Sequence, residues 1–251
     1  MTLVVGHRGA AGHAPENTFP SYELAVEMGV DAIELDIHLT ADGQLAVIHD
    51  DTLERTTGQP GAIRDLTMDQ IRAADAGATF TAADGSTPFA GRGLQVPTLA
   101  EVLDWLPDGI GLVVEIKARE AVEPAVELLR AAPVQKAGGL TMISFDERAV
   151  DQVHELAPEI PTGLLLVPTD SIERGLVYAT EHGHAGVHPW EGDLGMDPAP
   201  ILSQAMAYGR QVGCYVLNEP ERMKHLAAYR LWGFVTDLPD VARAALGPRG
   251  S

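Results

Sequence analysis

The sequence predicts a fold of the α/β class, a (β/α)8 TIM barrel with a hairpin after strand 2 and a small inserted lobe over the C-terminal mouth. Eight short apolar runs each lead into a helical stretch, which is the pattern of βα units around a parallel sheet. A length of 251 residues is typical of such a barrel. The main alternative is a doubly wound open sheet, but the Gly-rich dinucleotide turn of that fold is absent from the sequence.

The eight units follow one another along the whole chain. The predicted strands are Leu3–Gly6, Asp31–Asp36, Gly111–Lys117, Leu140–Ser144, Thr162–Val167, Gly186–His188, Gln211–Leu217 and Phe234–Thr236. The predicted helices are Thr18–Met28, Thr98–Trp105, Ala121–Ala131, Asp146–Leu156, Ser171–His182, Ala199–Tyr208, Glu219–Ala228 and Pro239–Leu246. We therefore expect one barrel domain over residues 1–251, with a frayed tail from Gly247.

One segment after the second strand breaks this rhythm. Ile37–Thr40 and Gln44–His49 are separated by three residues that include Asp42-Gly43. Because this gap is too short for a crossover, the second piece must pair antiparallel with the first. Such a hairpin returns His49 to the level of residues 34–36.

The segment at about 51–96 is the least regular part of the chain and is rich in Gly, Thr, Ala and Pro. We interpret it as a lobe inserted after the hairpin and lying over the barrel mouth. Either a gating role over a substrate or a variable surface excursion is consistent with this composition.

Composition restricts the classes of partner. The charge of −19 disfavours nucleic acid and anionic membranes, and no apolar run is long enough to insert stably in a bilayer. No secretory leader pattern precedes the first strand, and Cys214, the only cysteine, lies in an apolar run typical of a buried thiol. We expect a cytoplasmic protein, and the sequence leaves a homo-oligomer open.

The first strand ends in residues suited to phosphate chemistry. His7 can exchange a proton near neutral pH, and Arg8 offers a fork of donors that matches phosphate oxygens. Gly9 allows a ligand to approach the backbone closely. In an acidic protein, a bound divalent cation is the simplest local compensation for the charge of a phosphate ester.

Carboxylates end two further strands. Strand alternation places Glu34 and Asp36 on one face, and likewise Glu115 and Lys117. Two carboxylates on one face repel each other unless a cation or a proton lies between them. Glu34, Asp36 and Glu115 converging at one mouth predict an oxygen-rich site for Mg²⁺ or Ca²⁺ rather than Zn²⁺.

Two histidines from different segments are expected at the same mouth. His7 and His49 would provide the proton acceptor and the proton donor that cleavage of a phosphodiester requires. The hairpin residue His38 is predicted to face solvent by alternation. His154, His182, His184 and His225 lie on helices or loops and are expected at the surface.

Position alone suggests further pocket residues. Tyr215 and Trp190 could form an apolar wall, and His188 is consistent with either the pocket wall or core packing. Asp237, after the last strand, is consistent with a cap for the final helix.

The sequence resembles the glycerophosphodiester phosphodiesterase family. The resemblance rests on motifs in the family's order over nearly the whole chain: His7-Arg8-Gly9, Pro15-Glu16-Asn17-Thr18, Glu34-Leu35-Asp36, His49-Asp50, Pro97-Thr98-Leu99, Glu115-Ile116-Lys117, Ser144-Phe145 and Thr236-Asp237. Tyr215-Val216-Leu217-Asn218 departs from the Trp-Thr-Val-Asn run of many members, which concerns the pocket wall rather than the catalytic set.

This resemblance implies a TIM barrel enzyme that cleaves glycerophosphodiesters to glycerol 3-phosphate and an alcohol. His7 and His49 would be general acid and base, Arg8 and Lys117 would contact phosphate, and the three carboxylates would hold Mg²⁺ or Ca²⁺. The alternatives are the same chemistry on a lysophospholipid or phosphoinositide, a Mg²⁺-dependent barrel lyase or aldolase, and a non-catalytic phosphate-binding barrel.

Overall fold

The computed structural model describes residues 2–132 and 139–248. Its strands are β1 (Leu3–Gly6), β2 (Ala32–Leu39), β3 (Leu45–Val47), β4 (Gly111–Ile116), β5 (Leu140–Ser144), β6 (Thr162–Leu165), β7 (Gly186–His188), β8 (Gln211–Val212) and β9 (Gly233–Thr236). The parallel order β8-β7-β6-β5-β4-β2-β1-β9 confirms the predicted barrel, and β3 pairs with β2 alone. The end of the predicted frayed tail lies outside the described residues.

The barrel closes between β8 and β9 through the segment that follows β8. Regular pairing of β8 ends at Val212, earlier than the predicted strand end at Leu217. The chain nevertheless continues beside β9, because Cys214 accepts from Val235 N at 2.9 Å and Leu217 N donates to Val235 O at 2.8 Å. These bonds complete a nearly closed ring of eight parallel strands.

The helices are α1 (Phe19–Glu27), α2 (Glu54–Thr57), α3 (Met68–Arg72), α4 (Leu99–Trp105), α5 (Val122–Ala131), α6 (Glu147–Leu156), α7 (Ile172–Glu181), α8 (Ala199–Ala207), α9 (Pro220–Ala227) and α10 (Pro239–Leu246). Helices α2 and α3 belong to the inserted lobe, and the others cover the outside of the barrel. Local signals define several of their starts. Thr98 and Glu101 form a capping box at α4, and Asp146 and Ser171 accept backbone N–H bonds at α6 and α7.

The hairpin after β2 has the predicted register. Ile37 pairs with Val47 and Leu39 with Leu45, antiparallel across the Asp-Gly turn. Ile48 N then donates to Asp36 O at 3.1 Å, which returns His49 to the level of the carboxylates on β2. His38 was expected to face solvent, and this expectation is wrong. The 3-10 turn at Ile63–Asp65 packs on β2, and His38 is only 8% exposed.

Most barrel strands are buried on both faces, as expected for a parallel sheet, although Gln211 of β8 is exposed. Residues that point outward, such as Ile33 and Val114, pack under the helices, whereas Val5, Val113 and Ile143 fill the barrel interior. The inserted lobe contributes a separate apolar cluster, with Leu53, Ile63, Met68 and Ile71 packed against Ile48. The single-domain extent and the lobe boundaries at about 51–96 stay predictions.

Two predictions about single side chains were tested by burial. Cys214 is buried, as the apolar run around it indicated. His184 was expected at the surface and is fully buried. No described helix combines the length and the apolar character that crossing a membrane demands.

Candidate active site

A small pocket lies at the carboxyl ends of the strands. Its volume is about 180 Å³. It is lined by His7, Arg8, Glu34, His49, Glu115, Lys117, Ile143, Phe145, Leu165, Tyr215, Val216 and Val235. Most of the polar residues selected from the sequence are therefore brought to one place. This is the end of a βα barrel at which catalytic groups are generally found.

Three buried carboxylates meet beside this pocket. Glu34, Asp36 and Glu115 are 2%, 0% and 8% exposed, and each offers an oxygen within 4.8 Å of the others. The positions of these residues on β2 and β4 explain why their side chains lie together. Alternation places Glu34 and Asp36 on one face of β2, and the register pairs Asp36 with Glu115 of β4.

The three carboxylates concentrate negative charge in a site that is buried from water. Burial and the charges of Asp36 and Glu115 raise the pKa of Glu34 well above its usual value. Burial and the charge of Asp36 raise the pKa of Glu115 to about 7. Burial alone would raise the pKa of Asp36 as well, but Lys117, Arg8 and His49 hold it below its usual range.

Two cations compensate part of this charge. Lys117 Nζ lies 2.6 Å from Glu115 Oε1 and 3.1 Å from Asp36 Oδ1, and Arg8 Nε lies 3.2 Å from Asp36 Oδ2. Burial lowers the pKa of Lys117, but the charges of Asp36 and Glu115 more than offset this and raise it. Asp36 also accepts a 2.8 Å bond from Asn17 Nδ2, so its ionised form is the stabilised one.

The donor set fits a hard divalent cation. Three buried carboxylates face only two cationic side chains, and Asp36 Oδ1 has the ion pair with Lys117 at 3.1 Å but no hydrogen bond of good geometry among the described residues. The raised pKa values of Glu34 and Glu115 show that full ionisation of the cluster needs more positive charge than Arg8 and Lys117 supply. Oxygen-only donors of this kind are typical ligands of Mg²⁺ and Ca²⁺.

The turn that contains Arg8 is held by hydrogen bonds to the Arg8 backbone. Arg8 has a φ of 48°, a left-handed conformation that is rare outside glycine. Its backbone N–H donates to Glu34 Oε2 at 3.0 Å, and its carbonyl accepts from Ser21 Oγ at 2.9 Å. Gly9 was expected to make room for a ligand. A Cβ there would instead lie 2.5 Å from Ser21 Oγ, so Gly9 makes room for α1.

Each histidine of the pocket has its own carboxylate partner. His7 Nδ1 donates to Asp237 Oδ1 at 2.6 Å, and His49 Nδ1 donates to Asp50 Oδ1 at 2.6 Å. Binding at Nδ1 fixes the ring orientation and leaves Nε2 as the nitrogen available for proton exchange. Asp237 was considered only as a helix cap from the sequence, so its bond to His7 is a feature that sequence reasoning missed.

The backbone of His49 is held by His38, the hairpin residue that was expected to face solvent. His38 Nε2 donates to the carbonyl of His49 at 3.0 Å. Burial lowers the pKa of His49, which favours the neutral imidazole near pH 7.

Arg55 links the inserted lobe to both sides of the pocket. It binds Asp50 through Nε at 2.7 Å and Glu16 through Nη1 at 2.7 Å. Glu16 in turn accepts from Arg8 Nη1 at 2.8 Å. No local pattern in the sequence points to Arg55, because its partners lie in two other loops.

The remaining predicted pocket residues occupy different depths. Tyr215 lines the pocket, its ring edge-on to Phe145 and its hydroxyl donating to Leu166 O at 2.6 Å. Trp190 is 42% exposed on the rim and bridges to Tyr215 by backbone. His188 lies inside the barrel, 6% exposed and edge-on to Trp232, and is not part of the pocket lining.

Comparison with known proteins agrees with this geometry. Residues 7–241 match the Glycerophosphoryl diester phosphodiesterase family. The chain is 34% identical to a glycerophosphodiester phosphodiesterase of Bacillus subtilis (strain 168), over 95% of this chain and 84% of that protein. It is 32% identical to a putative glycerophosphodiester phosphodiesterase, YhdW, of the same organism, over 94% of this chain and 95% of that protein.

Solved structures show the same likeness. A phosphodiesterase of Oleispira antarctica, in complex with the product sn-glycerol-3-phosphate, aligns with a TM-score of 0.84 at 27% identity, over 98% of this chain and 97% of that one. A glycerophosphodiester phosphodiesterase of Agrobacterium tumefaciens aligns with a TM-score of 0.83 at 29% identity, over 97% of this chain and 100% of that one.

Proposed function

The chain belongs to the glycerophosphoryl diester phosphodiesterase family, and we propose that it hydrolyses glycerophosphodiesters to sn-glycerol 3-phosphate and an alcohol with a divalent cation and two histidines. One observation carries this proposal. Two histidines, each with a carboxylate on Nδ1, line the same small pocket as Glu34, Glu115 and two cationic side chains, and the buried Asp36 completes the carboxylate cluster beside it. The relatives named above and the sn-glycerol-3-phosphate in the Oleispira structure support the choice of substrate.

His7 and His49 move the protons in this proposal. One takes a proton from the attacking hydroxyl, either water or the glycerol 2-OH, and the other gives a proton to the leaving alkoxide. If the 2-OH attacks, the product of this step is a cyclic phosphate, which water then opens to glycerol 3-phosphate. The Asp237 and Asp50 carboxylates hold the two rings and stabilise each imidazolium as it forms. General acid and base groups of this kind each contribute about 10²- to 10⁴-fold in rate.

Glu34, Asp36 and Glu115 hold the cation, Mg²⁺ or Ca²⁺. When bound, the cation supplies Lewis acidity toward a phosphoryl oxygen. Arg8 and Lys117 place positive charge where negative charge builds on the phosphoryl group. Their ion pairs with Asp36 hold both side chains at the pocket before a substrate arrives.

The size of the pocket favours a small polar diester. At about 180 Å³ it is below the range of about 300–1,000 Å³ for sites that enclose drug-sized ligands. Tyr215 and Phe145 form its apolar wall beside the polar centre. We assign Trp190 to the rim, where it can contact the departing alcohol. His188 lies inside the barrel, outside the pocket lining, and has no substrate contact in this proposal.

The alternatives lack a supporting contact. No contact among the described residues favours a lysophospholipid or a phosphoinositide over a glycerophosphodiester. A barrel lyase or a non-catalytic phosphate binder leaves the two matched histidine–carboxylate pairs without a role. A cytoplasmic location and a homo-oligomer stay predictions from the sequence.

Product analysis on a panel of diesters tests the proposal. Glycerophosphocholine, glycerophosphoethanolamine, lysophosphatidylcholine and glycerophosphoinositol would each be incubated with the protein and Mg²⁺ or Ca²⁺, and sn-glycerol 3-phosphate and choline measured. We expect sn-glycerol 3-phosphate from the glycerophosphodiesters and its loss in His7→Ala and His49→Ala. Turnover of lysophosphatidylcholine alone, or unchanged turnover in both variants, would contradict the proposal.

A further inference from the structure

A second cluster of ligand-type side chains lies away from the pocket. Asp151 is on α6, and His182 and His184 follow α7 and precede β7. Because His184 comes just before the amino end of β7, the cluster lies at the end of the barrel opposite the active site, where residues serve stability rather than catalysis. Neither the family motifs nor the proposed mechanism uses any of the three.

The three side chains converge on one point. His182 Nδ1 lies 2.9 Å and His184 Nε2 lies 3.0 Å from the same oxygen, Oδ1 of Asp151. One ligand atom from each residue lies within 4.8 Å of the others. In a tetrahedral zinc site with bonds of about 2.1 Å, ligand atoms are separated by about 3.4 Å. Only small side-chain movements separate this arrangement from a coordination shell.

The residues around the cluster orient the ligands. Thr162 Oγ1 lies 2.8 Å from Nδ1 of the buried His184, and Tyr178 donates to Asp151 Oδ2 at 2.7 Å. Partners on the second ring nitrogen of a histidine and on the second oxygen of a carboxylate are typical of metal ligands. The Tyr178 ring stacks on His182 at 4.0 Å and fixes that ring as well.

One ligand is accessible from solvent. The His182 side chain is 40% exposed, that of Asp151 is 27% exposed and that of His184 is fully buried. An ion can therefore reach the cluster from solvent through His182, and the buried His184 is already held in position to bind it. Two imidazole nitrogens and one carboxylate oxygen are a donor set that suits Zn²⁺ better than Mg²⁺ or Ca²⁺.

We propose that Asp151, His182 and His184 form a structural binding site for Zn²⁺ that joins α6 to the segment between α7 and β7. Water fills the remaining coordination position. On binding, each neutral imidazole carries its proton on the ring nitrogen away from Asp151, and three metal bonds replace the two hydrogen bonds to Asp151 Oδ1. An ion bound only by the folded state stabilises it by mass action. This inference does not depend on the proposed function of the pocket.

The test measures Zn²⁺ binding with the pocket occupied. Metal-stripped protein is titrated with Zn²⁺ calorimetrically in the presence of excess Mg²⁺, and the melting temperature is measured with and without Zn²⁺. We expect one equivalent to bind and the melting temperature to rise. The variant His182→Gln, at an exposed position, should weaken binding at least about tenfold and remove the rise in melting temperature.

The control variant His225→Gln replaces another accessible histidine, whose Nε2 donates to Met196 O at 2.9 Å. It should bind Zn²⁺ as the wild type does. Thr162→Val, which removes the hydroxyl beside His184, should weaken binding without removing a ligand. No zinc binding by the folded wild type, or equal binding by His182→Gln, would overturn the proposal. Loss of diester hydrolysis would not bear on it.

Discussion

Asp237 Oδ1 accepts a 2.6 Å hydrogen bond from Nδ1 of His7, although the two residues are 230 positions apart in the chain. The contact exists because β1 and β9 are neighbours in the closed barrel, with Gly6 paired to Thr236. Asn218 Nδ2 holds the second carboxylate oxygen of Asp237 at 2.7 Å. Burial opposes the ionised form of Asp237, but the bond to His7 lowers its pKa below the usual value.

Replacing Asp237 by Asn should lower kcat about 100-fold with little change in KM. An amide in this position no longer stabilises the imidazolium of His7, whereas substrate contacts are retained. Steady-state kinetics on glycerophosphocholine provide the measurement. Asp240→Asn is the matched control, because it removes the partner of His13 at 2.8 Å, outside the pocket lining. Equal kinetics in the two variants would contradict the role of Asp237.

Replacing Arg55 by Gln should lower the free energy of unfolding at pH 7 and change how that free energy depends on pH. Hydrogen bonding to Arg55 lowers the pKa of Asp50 to about 2 from 3.8. The unfolded state therefore binds a proton more readily than the folded state, so this stabilisation is present above pH 3.8 and is lost as the pH falls toward 2. Arg55 is 47% exposed, which reduces the expected effect at pH 7 to about 1 kcal/mol.

Denaturant unfolding of wild type and Arg55→Gln at pH 7 and pH 3 measures this effect. The difference in free energy of unfolding between the two proteins should be smaller at pH 3. Arg64→Gln is a suitable control in the same lobe, because the Arg64 side chain is 85% exposed. An unchanged difference at the two pH values would show that the Arg55 contacts do not depend on ionised Asp50.

His188 should make the protein less stable in mild acid. Burial lowers its pKa from 6.5 to about 4. A Cβ on Gly163 or Gly213 would lie 2.5 Å or 2.4 Å from a nitrogen of this ring, so the two glycines create its site. Because the unfolded state binds the proton first, stability is complete above pH 6.5 and falls as the pH drops toward 4.

The variant His188→Gln removes this titration. Between pH 7 and pH 5 the wild type should lose about 2 kcal/mol more of its free energy of unfolding than the variant does. Denaturant unfolding at the two pH values gives the comparison. A loss of packing in the variant lowers its stability equally at both pH values and therefore does not affect the difference. His225→Gln should behave as the wild type. An equal loss in wild type and His188→Gln would show that His188 is not held neutral.

The sequence predicted the parts of the site that depend on local geometry. Strand alternation placed Glu34 and Asp36 on one face, and the length of the Asp-Gly turn returned His49 to their level. Both follow from period and loop length within about fifteen residues. The eightfold repeat of strand and helix predicted the barrel for the same reason.

Contacts between distant segments were beyond the sequence. Asp237 meets His7 only after closure of the barrel, and Arg55 meets Glu16 only after the lobe folds over the first loop. His38 was assigned to solvent because alternation describes one strand and not what packs on it. The position of His188 depends on the absence of side chains on two other strands, which a sequence pattern does not reveal.

The cation dependence of catalysis is measured by the release of sn-glycerol 3-phosphate from glycerophosphocholine. Chelator-stripped wild type and Glu34→Gln would be assayed without metal and with Mg²⁺ or Ca²⁺ added back. We expect no release from stripped protein, recovery in the wild type, and a loss of at least about 100-fold in Glu34→Gln. Full activity of the stripped, folded wild type, or equal recovery in Glu34→Gln, would contradict this expectation.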